Sequence, residues 1–249
     1  MPTAIHKPLV VVCGATGAQG SSVVEHLLQD GGYRVRALTR NPDGAPAQRV
    51  ETVKCDFGSL EQIVIAFQGA YAVYGVTNFW EHGEEAEIQQ GKNLADAAKT
   101  CGVRHFIWPS LPHVPIIEPR HWESKIKVEK YLNEIGIPTT VLLTPFFFEN
   151  LYRVLPIMRL TDAEDIGECV GLVDELEGSR HPSRHRRVAL KNPKTWVGRR
   201  LGICVQKLTP RDYASTLTEA LNIPVTLREV SEGQFEAVRP HVPDDLWLK

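Results

Sequence analysis

Cysteine is scarce in this sequence, and the thiols lie far from one another. Five cysteines are an odd number, and no CxxC pair occurs among them, which argues against a disulfide framework and against a zinc knuckle. Histidines at metal-ligand spacing are lacking as well, so we expect no metal site. A reducing compartment fits this composition best. The five thiols belong to Cys13, Cys55, Cys101, Cys169 and Cys204.

An excess of charge and long apolar runs are also lacking. The formal net charge is −2, which excludes a global attraction to nucleic acid or to an anionic membrane, although not a local patch. No apolar run reaches the roughly 18 residues of a membrane span, and the N-terminus lacks an adequate signal-peptide core. We therefore expect a cytoplasmic protein, with the nucleus as the alternative, that binds neither membranes nor nucleic acid directly.

What the sequence does have is a glycine-rich segment directly after an apolar strand. Leu9–Val12 is followed by Gly14, Gly17 and Gly20, and apolar residues then recur at helical spacing. Gly14 allows a tight turn, Gly17 allows backbone N–H groups to approach a pyrophosphate at the helix N-terminus, and Gly20 allows close helix packing. This unit predicts a dinucleotide site. Its residues are Gly14, Ala15, Thr16, Gly17, Ala18, Gln19 and Gly20.

Strand-like and helix-like segments alternate through the first 150 residues. Such alternation is typical of a parallel sheet with crossover helices, and Gly69, Gly102 and Gly136 fall where helix ends need a positive φ. We therefore expect an α/β fold, a Rossmann-type doubly wound parallel sheet. Strands are predicted near Leu9–Val12, Arg34–Leu38, Glu51–Cys55, Tyr71–Val76, His105–Trp108 and Thr140–Leu143, and helices from near Ala18, Ser59, Glu84 and Trp122, the last ending near Ile135.

The alternation loosens after Asn150. We expect residues 1–150 to form the NAD(P)-binding domain and residues 151–249 a small, abbreviated α+β region that caps the cleft and holds a substrate or partner. The Arg/His-rich stretch Asp174–Arg187 either contacts an acidic partner or is a solvated, flexible insertion, and its lack of aromatic residues favours the insertion. Helices are predicted at Asp162–Leu176 and Pro210–Ala220, and short strands at Leu201–Val205 and Val225–Arg228.

Arg40 follows the second predicted strand, 20 residues after Gly20. At this offset an acidic residue binds the ribose 2′-hydroxyl of NAD, whereas an arginine suits the 2′-phosphate of NADP. The alternative is a solvated surface arginine. The sequence therefore favours NADP(H), with NAD(H) as the second choice. Asp56 and Phe57 follow the third strand and are expected beside the adenine, although Asp56 is equally suited to a helix start.

Several motifs together resemble the NmrA-like family of atypical short-chain dehydrogenases, and most of all its NADPH-sensing members. The motifs are GATGAQG at Gly14–Gly20, TRNP at Thr39–Pro42, and the segments Gly69–Glu81, Gln90–Ala98 and Phe148–Leu151. The resemblance covers most of residues 8–155 and about 188–230. It implies an NADP site with Thr77, Asn78 and Phe79 near the ribose and pyrophosphate, Lys125 near the nicotinamide ribose, and Phe147, Phe148, Glu149 and Asn150 at the nicotinamide end.

The resemblance also shows where this chain departs from ordinary short-chain dehydrogenases. Their proton donor is the tyrosine of YxxxK, but here His121 stands four residues before Lys125, and Ser110 is the candidate for the companion serine. Either His121 donates a proton from the same helix face, or it is a surface residue and Lys125 only holds ribose hydroxyls, which we favour. Glu87 is expected merely as acidic decoration of a helix start.

Two functions of different classes stay open. The first is a sensor or regulator whose conformation and choice of protein partner report NADP(H) occupancy, with weak or no turnover. The second is an NADPH-dependent oxidoreductase for a small quinone-like or carbonyl substrate. The missing tyrosine and the short segments after Pro42, Pro112 and Asn150, which would shape a substrate pocket, favour the first. The sequence predicts neither the oligomeric state nor the partner.

Overall fold

The computed structural model describes residues 7–42, 49–113, 119–144, 146–147, 176–179, 189–203 and 206–226. The chain divides into two compact units, one of Met1–Thr144 with Ser183–Gly202 and one of Pro145–Pro182 with Ile203–Lys249. The first unit contains the glycine-rich segment. The domain boundary expected at residue 150 stays a prediction.

Strands and helices alternate along the first unit. Its strands are β1 (Leu9–Val12), β2 (Arg34–Thr39), β3 (Glu51–Lys54), β4 (Ala70–Tyr74), β5 (His105–Ser110) and β6 (Thr139–Leu143). Its helices are α1 (Ala18–Asp30), α2 (Leu60–Phe67), α3 (Phe79–Thr100) and α4 (Arg120–Glu134), followed by the short α5 (Pro193–Trp196). The remaining described strands are β7 (Phe146–Phe147), β8 (Leu176–Ser179), β9 (Arg200–Gly202) and β10 (Gln206–Leu208), and the last described helix is α6 (Pro210–Leu221).

A seven-stranded sheet in the order β3-β2-β1-β4-β5-β6-β9 forms the centre of the first unit. Every strand pair in it is parallel. Chain order reverses between β1 and β4, and ligands of open α/β sheets bind at such a switch point, beyond the carboxyl ends of the strands. The sheet confirms the predicted doubly wound α/β fold.

Burial of the central strands follows from helices on both faces of the sheet. All four residues of β1 are buried, as in a parallel strand that is covered on both sides. The largest fully buried side chains are those of Trp108, Tyr74, Phe67 and Phe106. Three glycines that follow helices have the expected positive φ: 72° at Gly69, 63° at Gly102 and 75° at Gly136. Each of these glycines lets the chain leave a helix and enter the strand that follows it, β4, β5 or β6.

Two predicted element positions in this unit are wrong. Helix α3 begins at Phe79 rather than near Glu84, because a first turn precedes a break at Gly83, where φ is 78° and ψ is −177°. Strand β9 was expected in the capping region, but it pairs in parallel with β6 in the main sheet. An ion pair from Arg200 Nε to Glu129 Oε1 at 3.0 Å also ties β9 to α4.

The second unit contains a small sheet in the order β10-β8-β7. Strand β8 shows that the predicted helix Asp162–Leu176 is wrong at its end, since Leu176 begins a strand. Within the Arg/His-rich stretch, this strand pairs with β7 and β10. The rest of both segments lies outside the described residues. Helix α6 begins as predicted at Pro210, with a capping box between Thr209 and Asp212.

The strand predicted from Val225 is wrong at its start. Val225 is not in a strand and donates its N–H to Thr218 Oγ1 at 2.9 Å, which ties it to α6 instead. Residues beyond Thr226 are outside the described part of the chain.

The cysteines in the described ranges form no disulfide. Cys13 and Cys55 are buried, Cys101 is partly buried, and burial raises the pKa of the Cys13 thiol and raises that of Cys55 to about 11. Within the same ranges, no group of His, Cys, Asp and Glu is placed to hold a metal ion. No described helix combines the length and the apolar character that crossing a membrane needs.

Candidate functional site

The glycine-rich segment forms a main-chain turn at the carboxyl end of β1. Gly14 has a φ of +56°, a backbone conformation that residues other than glycine rarely adopt. The Ala15 N–H donates to Leu38 O at 3.1 Å, and the Gly17 N–H donates to Gly14 O at 3.0 Å. These bonds fix the turn between the ends of β1 and β2.

Helix α1 starts against this turn. A Cβ atom at Gly20 would overlap the carbonyl group of Gly14, so only glycine allows this approach. The hydroxyl of the buried Tyr74 donates to Gln19 Oε1 at 2.9 Å and ties the same helix end to β4. Gly17 is the N-cap and provides no side-chain cap, so the first turn presents backbone N–H groups of the kind that bind anions.

Arg40, directly after β2, forms a two-pronged ion pair that the sequence did not predict. Its Nη1 lies 2.6 Å from Glu81 Oε1, and its Nη2 lies 2.7 Å from Glu81 Oε2. Nη1 also lies 3.3 Å from His82 Nε2, and Asn78 Nδ2 donates to Glu81 Oε2 at 3.3 Å. The bond from Arg40 lowers the pKa of the Glu81 carboxyl. Arg40 therefore lies directly after β2 as expected, but its guanidinium is paired with the carboxylate of Glu81.

The loop after β3 is held by its own main chain and by α3. Asp56 Oδ1 accepts the N–H of Gly58 at 2.8 Å, and Asn93 Nδ2 donates to Phe57 O at 2.9 Å. Ser59 is the N-cap of α2, and Asp56 lies three residues before it. The position of Asp56 and Phe57 beside an adenine stays a prediction. Asn93, which supports this loop, is a residue that sequence reasoning missed.

Lys125 of α4 lies in a buried polar cluster below the carboxyl end of β4. Its Nζ donates to Thr77 O at 2.8 Å and to Thr77 Oγ1 at 2.9 Å, and it pairs with Glu87 Oε1 at 2.6 Å. Ser124 Oγ donates to Glu87 Oε2, in a very short bond. The side chain of Glu87 is 0% exposed and that of Lys125 is 14% exposed. Glu87 is therefore the counterion of Lys125, not surface decoration.

Opposing effects set the charge state in this cluster. Burial lowers the pKa of the Lys125 ammonium, and the neighbouring Glu87 carboxylate counteracts that shift. The Glu87 carboxylate and the Lys125 ammonium stabilise each other's charge, because burial leaves both groups with little access to water.

His121 lies within a cluster of aromatic rings one turn before Lys125. Its ring centroid is 5.0 Å from that of Trp80 and 5.8 Å from that of Phe79. The two predicted catalytic residues therefore share α4, but the histidine ring packs against the first turn of α3. Its role as proton donor stays a prediction.

Ser110, the candidate companion serine, ends β5. Its side chain is buried, and its Oγ has no hydrogen-bond partner among the described residues. Buried hydroxyls are normally bonded, so this atom is available to a group that enters from the sheet edge.

The structure thus brings most predicted cofactor residues to one edge of the sheet. The turn Gly14–Gly20, Arg40 and Thr77 follow β1, β2 and β4, whose carboxyl ends point the same way in this all-parallel sheet. Asn78 is the N-cap of α3, and Phe79 is its first residue. Of the residues expected at the nicotinamide end, Phe147 lies in β7, and Phe148, Glu149 and Asn150 lie outside the described residues.

Comparison with known sequences establishes the family. The model of the NmrA-like family matches residues 6–172. The chain belongs to the NmrA-like family. This confirms the resemblance expected from its motifs. A curated relative, the NmrA-like family domain-containing oxidoreductase FrzB of Cladobotryum sp, is 35% identical, and the match covers 60% of this chain and 50% of that protein. The chain spans about half the length of the curated NmrA-like oxidoreductases it matches.

Solved structures show the same fold. NmrA, a negative transcriptional regulator solved in complex with NADP, has a TM-score of 0.72 at 24% identity, covering 94% of this chain and 82% of that one. The NADPH-dependent quinone oxidoreductase QOR2 of Escherichia coli, complexed with NADPH, has a TM-score of 0.77 at 24% identity, covering 96% and 84%. A regulator and an enzyme therefore share the architecture of this NmrA-like chain.

Proposed function

We propose that this NmrA-like chain binds NADP(H) at the carboxyl edge of its seven-stranded sheet, with NAD(H) as the second ligand. The uncapped start of α1 and the glycine turn beside it suit a pyrophosphate. Arg40 follows the neighbouring strand and suits a 2′-phosphate. NmrA and QOR2, which share the fold, are described as complexes with NADP and NADPH.

We further propose that the chain is a sensor of coenzyme occupancy or a regulator, with weak or no turnover. The observation that carries this proposal is the state of Lys125. An ammonium has three N–H donors, and Lys125 Nζ has three acceptors within 2.9 Å, on Thr77 and Glu87. A ribose hydroxyl therefore has to displace one of them, and no tyrosine stands at position 121 to donate a proton.

An NADPH-dependent oxidoreductase is the second candidate, and one observation favours it. Ser110 Oγ is buried at the end of β5 with no partner in the described part of the chain. A hydroxyl in this state is suited to bind a carbonyl or quinone oxygen. Relatives named as oxidoreductases agree with this alternative.

Binding and turnover experiments separate the two candidates. We expect calorimetry to show NADPH binding, and we expect no NADPH oxidation above background with a panel of quinones and aldehydes. The test variant is the double variant Lys125→Met with Glu87→Gln, which leaves no charge in the buried cluster. Its matched control is Lys127→Met, on the exposed side of the same helix. Turnover that the first variant abolishes and the second retains would establish the enzyme. Absence of binding to either coenzyme would refute the site itself.

A further inference from the structure

The carboxylate on Arg40 bears on which coenzyme the site prefers, an inference that rests on the proposed dinucleotide site. Glu81 belongs to the first turn of α3, which follows β4, whereas Arg40 follows β2. Because β1 lies between these two strands, the ion pair joins the two segments that flank the glycine turn. It therefore lies where a 2′-phosphate would meet the guanidinium.

The donors of Arg40 are largely committed. A guanidinium has five N–H groups. Glu81 takes one from each terminal nitrogen, at 2.6 and 2.7 Å, and a second from Nη1 points to His82 Nε2 at 3.3 Å. An incoming phosphate must displace Glu81 or bind to the Nε side of the same group, with the carboxylate still close by.

The charges around the guanidinium also oppose the binding of a 2′-phosphate. Glu81 and Asp56 both act electrostatically on Arg40, so one positive charge stands against two negative ones. A 2′-phosphate brings nearly two further negative charges, whereas the 2′-hydroxyl of NAD brings none. The carboxylate of Glu81 therefore disfavours the phosphorylated coenzyme and leaves the other unaffected.

The ion pair is weak enough to be opened by a ligand. The side chains of Arg40 and Glu81 are 56% and 38% exposed, and pairs so exposed to solvent contribute little net free energy. We propose that Glu81 is a specificity-determining residue, which competes with the 2′-phosphate for Arg40 and so weakens the preference of the site for NADP(H) over NAD(H).

The test compares ligands that differ only at the 2′ position. Dissociation constants are measured by calorimetry for NADPH and NADH, and for adenosine 2′,5′-bisphosphate and 5′-AMP, at one fixed ionic strength. The decisive variant is Glu81→Gln, which is isosteric and removes only the charge. Glu84→Gln is the matched control, because Glu84 is in the same helix and pairs with Lys127 instead.

We expect Glu81→Gln to tighten the binding of NADPH and of the 2′,5′-bisphosphate by about two- to fivefold, as fits an exposed charge pair. NADH and 5′-AMP should bind as before, and Glu84→Gln should change none of the four. In an Arg40→Gln background the gain from Glu81→Gln should shrink, because only repulsion is left to relieve.

Three results would overturn the inference. NADPH affinity that is unchanged in Glu81→Gln would show no competition, and weaker NADPH binding would make Glu81 a residue that positions Arg40 for the phosphate. An equal gain for NADPH and NADH would remove the link to the 2′ position. In contrast, wild-type protein that binds none of the four ligands would refute the proposed site itself, and the role of Glu81 with it.

Discussion

At the scale of single residues, Glu87 and Lys125 are the most consequential pair. Both side chains are buried, and their contact of 2.6 Å is reinforced by Thr77 and Ser124. A buried ion pair adds little over apolar residues of equal volume, but the loss of one partner leaves a charge without compensation. The pair therefore constrains how α3 and α4 pack beneath the sheet edge.

Removal of one partner of this pair should destabilise the protein strongly. We expect Glu87→Ala to lower the free energy of unfolding by about 3–5 kcal/mol, because the Lys125 ammonium stays buried without its counterion. The double variant Glu87→Gln with Lys125→Met should lose much less. Urea unfolding at pH 7 measures both, and Glu84→Gln, whose partner Lys127 is exposed, should cost less than about 1 kcal/mol. A double variant no more stable than the single one would contradict this account.

The burial of His105 makes the stability of the fold depend on pH. It is buried in β5, and its Nε2 lies 2.8 Å from Thr140 Oγ1. Burial lowers its pKa to about 4, whereas an unfolded histidine titrates near pH 6.5. Between these values the unfolded state binds more protons, so stability falls as the pH falls through this window.

We expect this effect to reach roughly 2 kcal/mol at pH 5 relative to pH 7.5. His105→Gln, which retains a polar partner for Thr140, should abolish that share of the pH dependence. The measurement is urea unfolding at both pH values, with the exposed His113→Gln as the surface control. An equal pH dependence in His105→Gln and the wild type would show that His105 does not titrate in this way.

At the scale of elements, Gly20 and Gly17 in the turn from β1 into α1 have different roles, the first in helix packing and the second in the proposed coenzyme binding. A Cβ at Gly20 would overlap the Gly14 carbonyl, whereas a Cβ at Gly17 would lie 3.4 Å from Gly14 O, an ordinary contact. Gly20 is therefore needed for the close approach of the helix, whereas Gly17 is free to contact a ligand.

Alanine at these two positions should have different consequences. Gly20→Ala should cost about 1–3 kcal/mol of stability, because the helix has to move. Gly17→Ala should leave stability within about 0.5 kcal/mol but weaken NADPH binding at least about tenfold, since its methyl group meets the pyrophosphate. Thermal unfolding and calorimetry measure the two effects. Equal coenzyme affinity in Gly17→Ala and the wild type would move the pyrophosphate elsewhere.

Elements with strong local signals could be predicted from the sequence. The apolar run of β1, the glycine motif and the glycines after three helices gave the order and type of elements in the sheet. The first turn of α3 could not be predicted, because Gly83 reads as a helix breaker and the Arg40 to Glu81 pair that holds this turn is tertiary. Strand β9 was misplaced for the same reason, since only pairing with β6 fixes where it belongs.

Predictions for the site divide in a similar way. The positions of Gly14–Gly20 and Arg40 followed from spacing within one βαβ unit. Glu87 and Asn93 were missed because their roles depend on how α3 lies against other segments, and a carboxylate near a helix start looks the same whether it is exposed or buried. Charge type alone therefore did not reveal which acid pairs with Lys125.

At the scale of the whole molecule, one sheet edge unites the account. An all-parallel sheet of order β3-β2-β1-β4-β5-β6-β9 collects the glycine turn, Arg40 and the Thr77 cluster beyond its strand ends. The regulator NmrA and the quinone oxidoreductase QOR2 share this architecture. The proposed function of this chain depends on whether that edge holds a dinucleotide.

A crystal structure of the protein with NADPH tests this claim most directly. We expect the pyrophosphate at the N-terminus of α1, beside Gly14–Gly20. We expect the 2′-phosphate within hydrogen-bond distance of Arg40, either in place of Glu81 opposite Nη1 and Nη2 or on the Nε side of the guanidinium. Coenzyme bound elsewhere, or a glycine turn that stays closed to NADPH at saturating concentration, would contradict it.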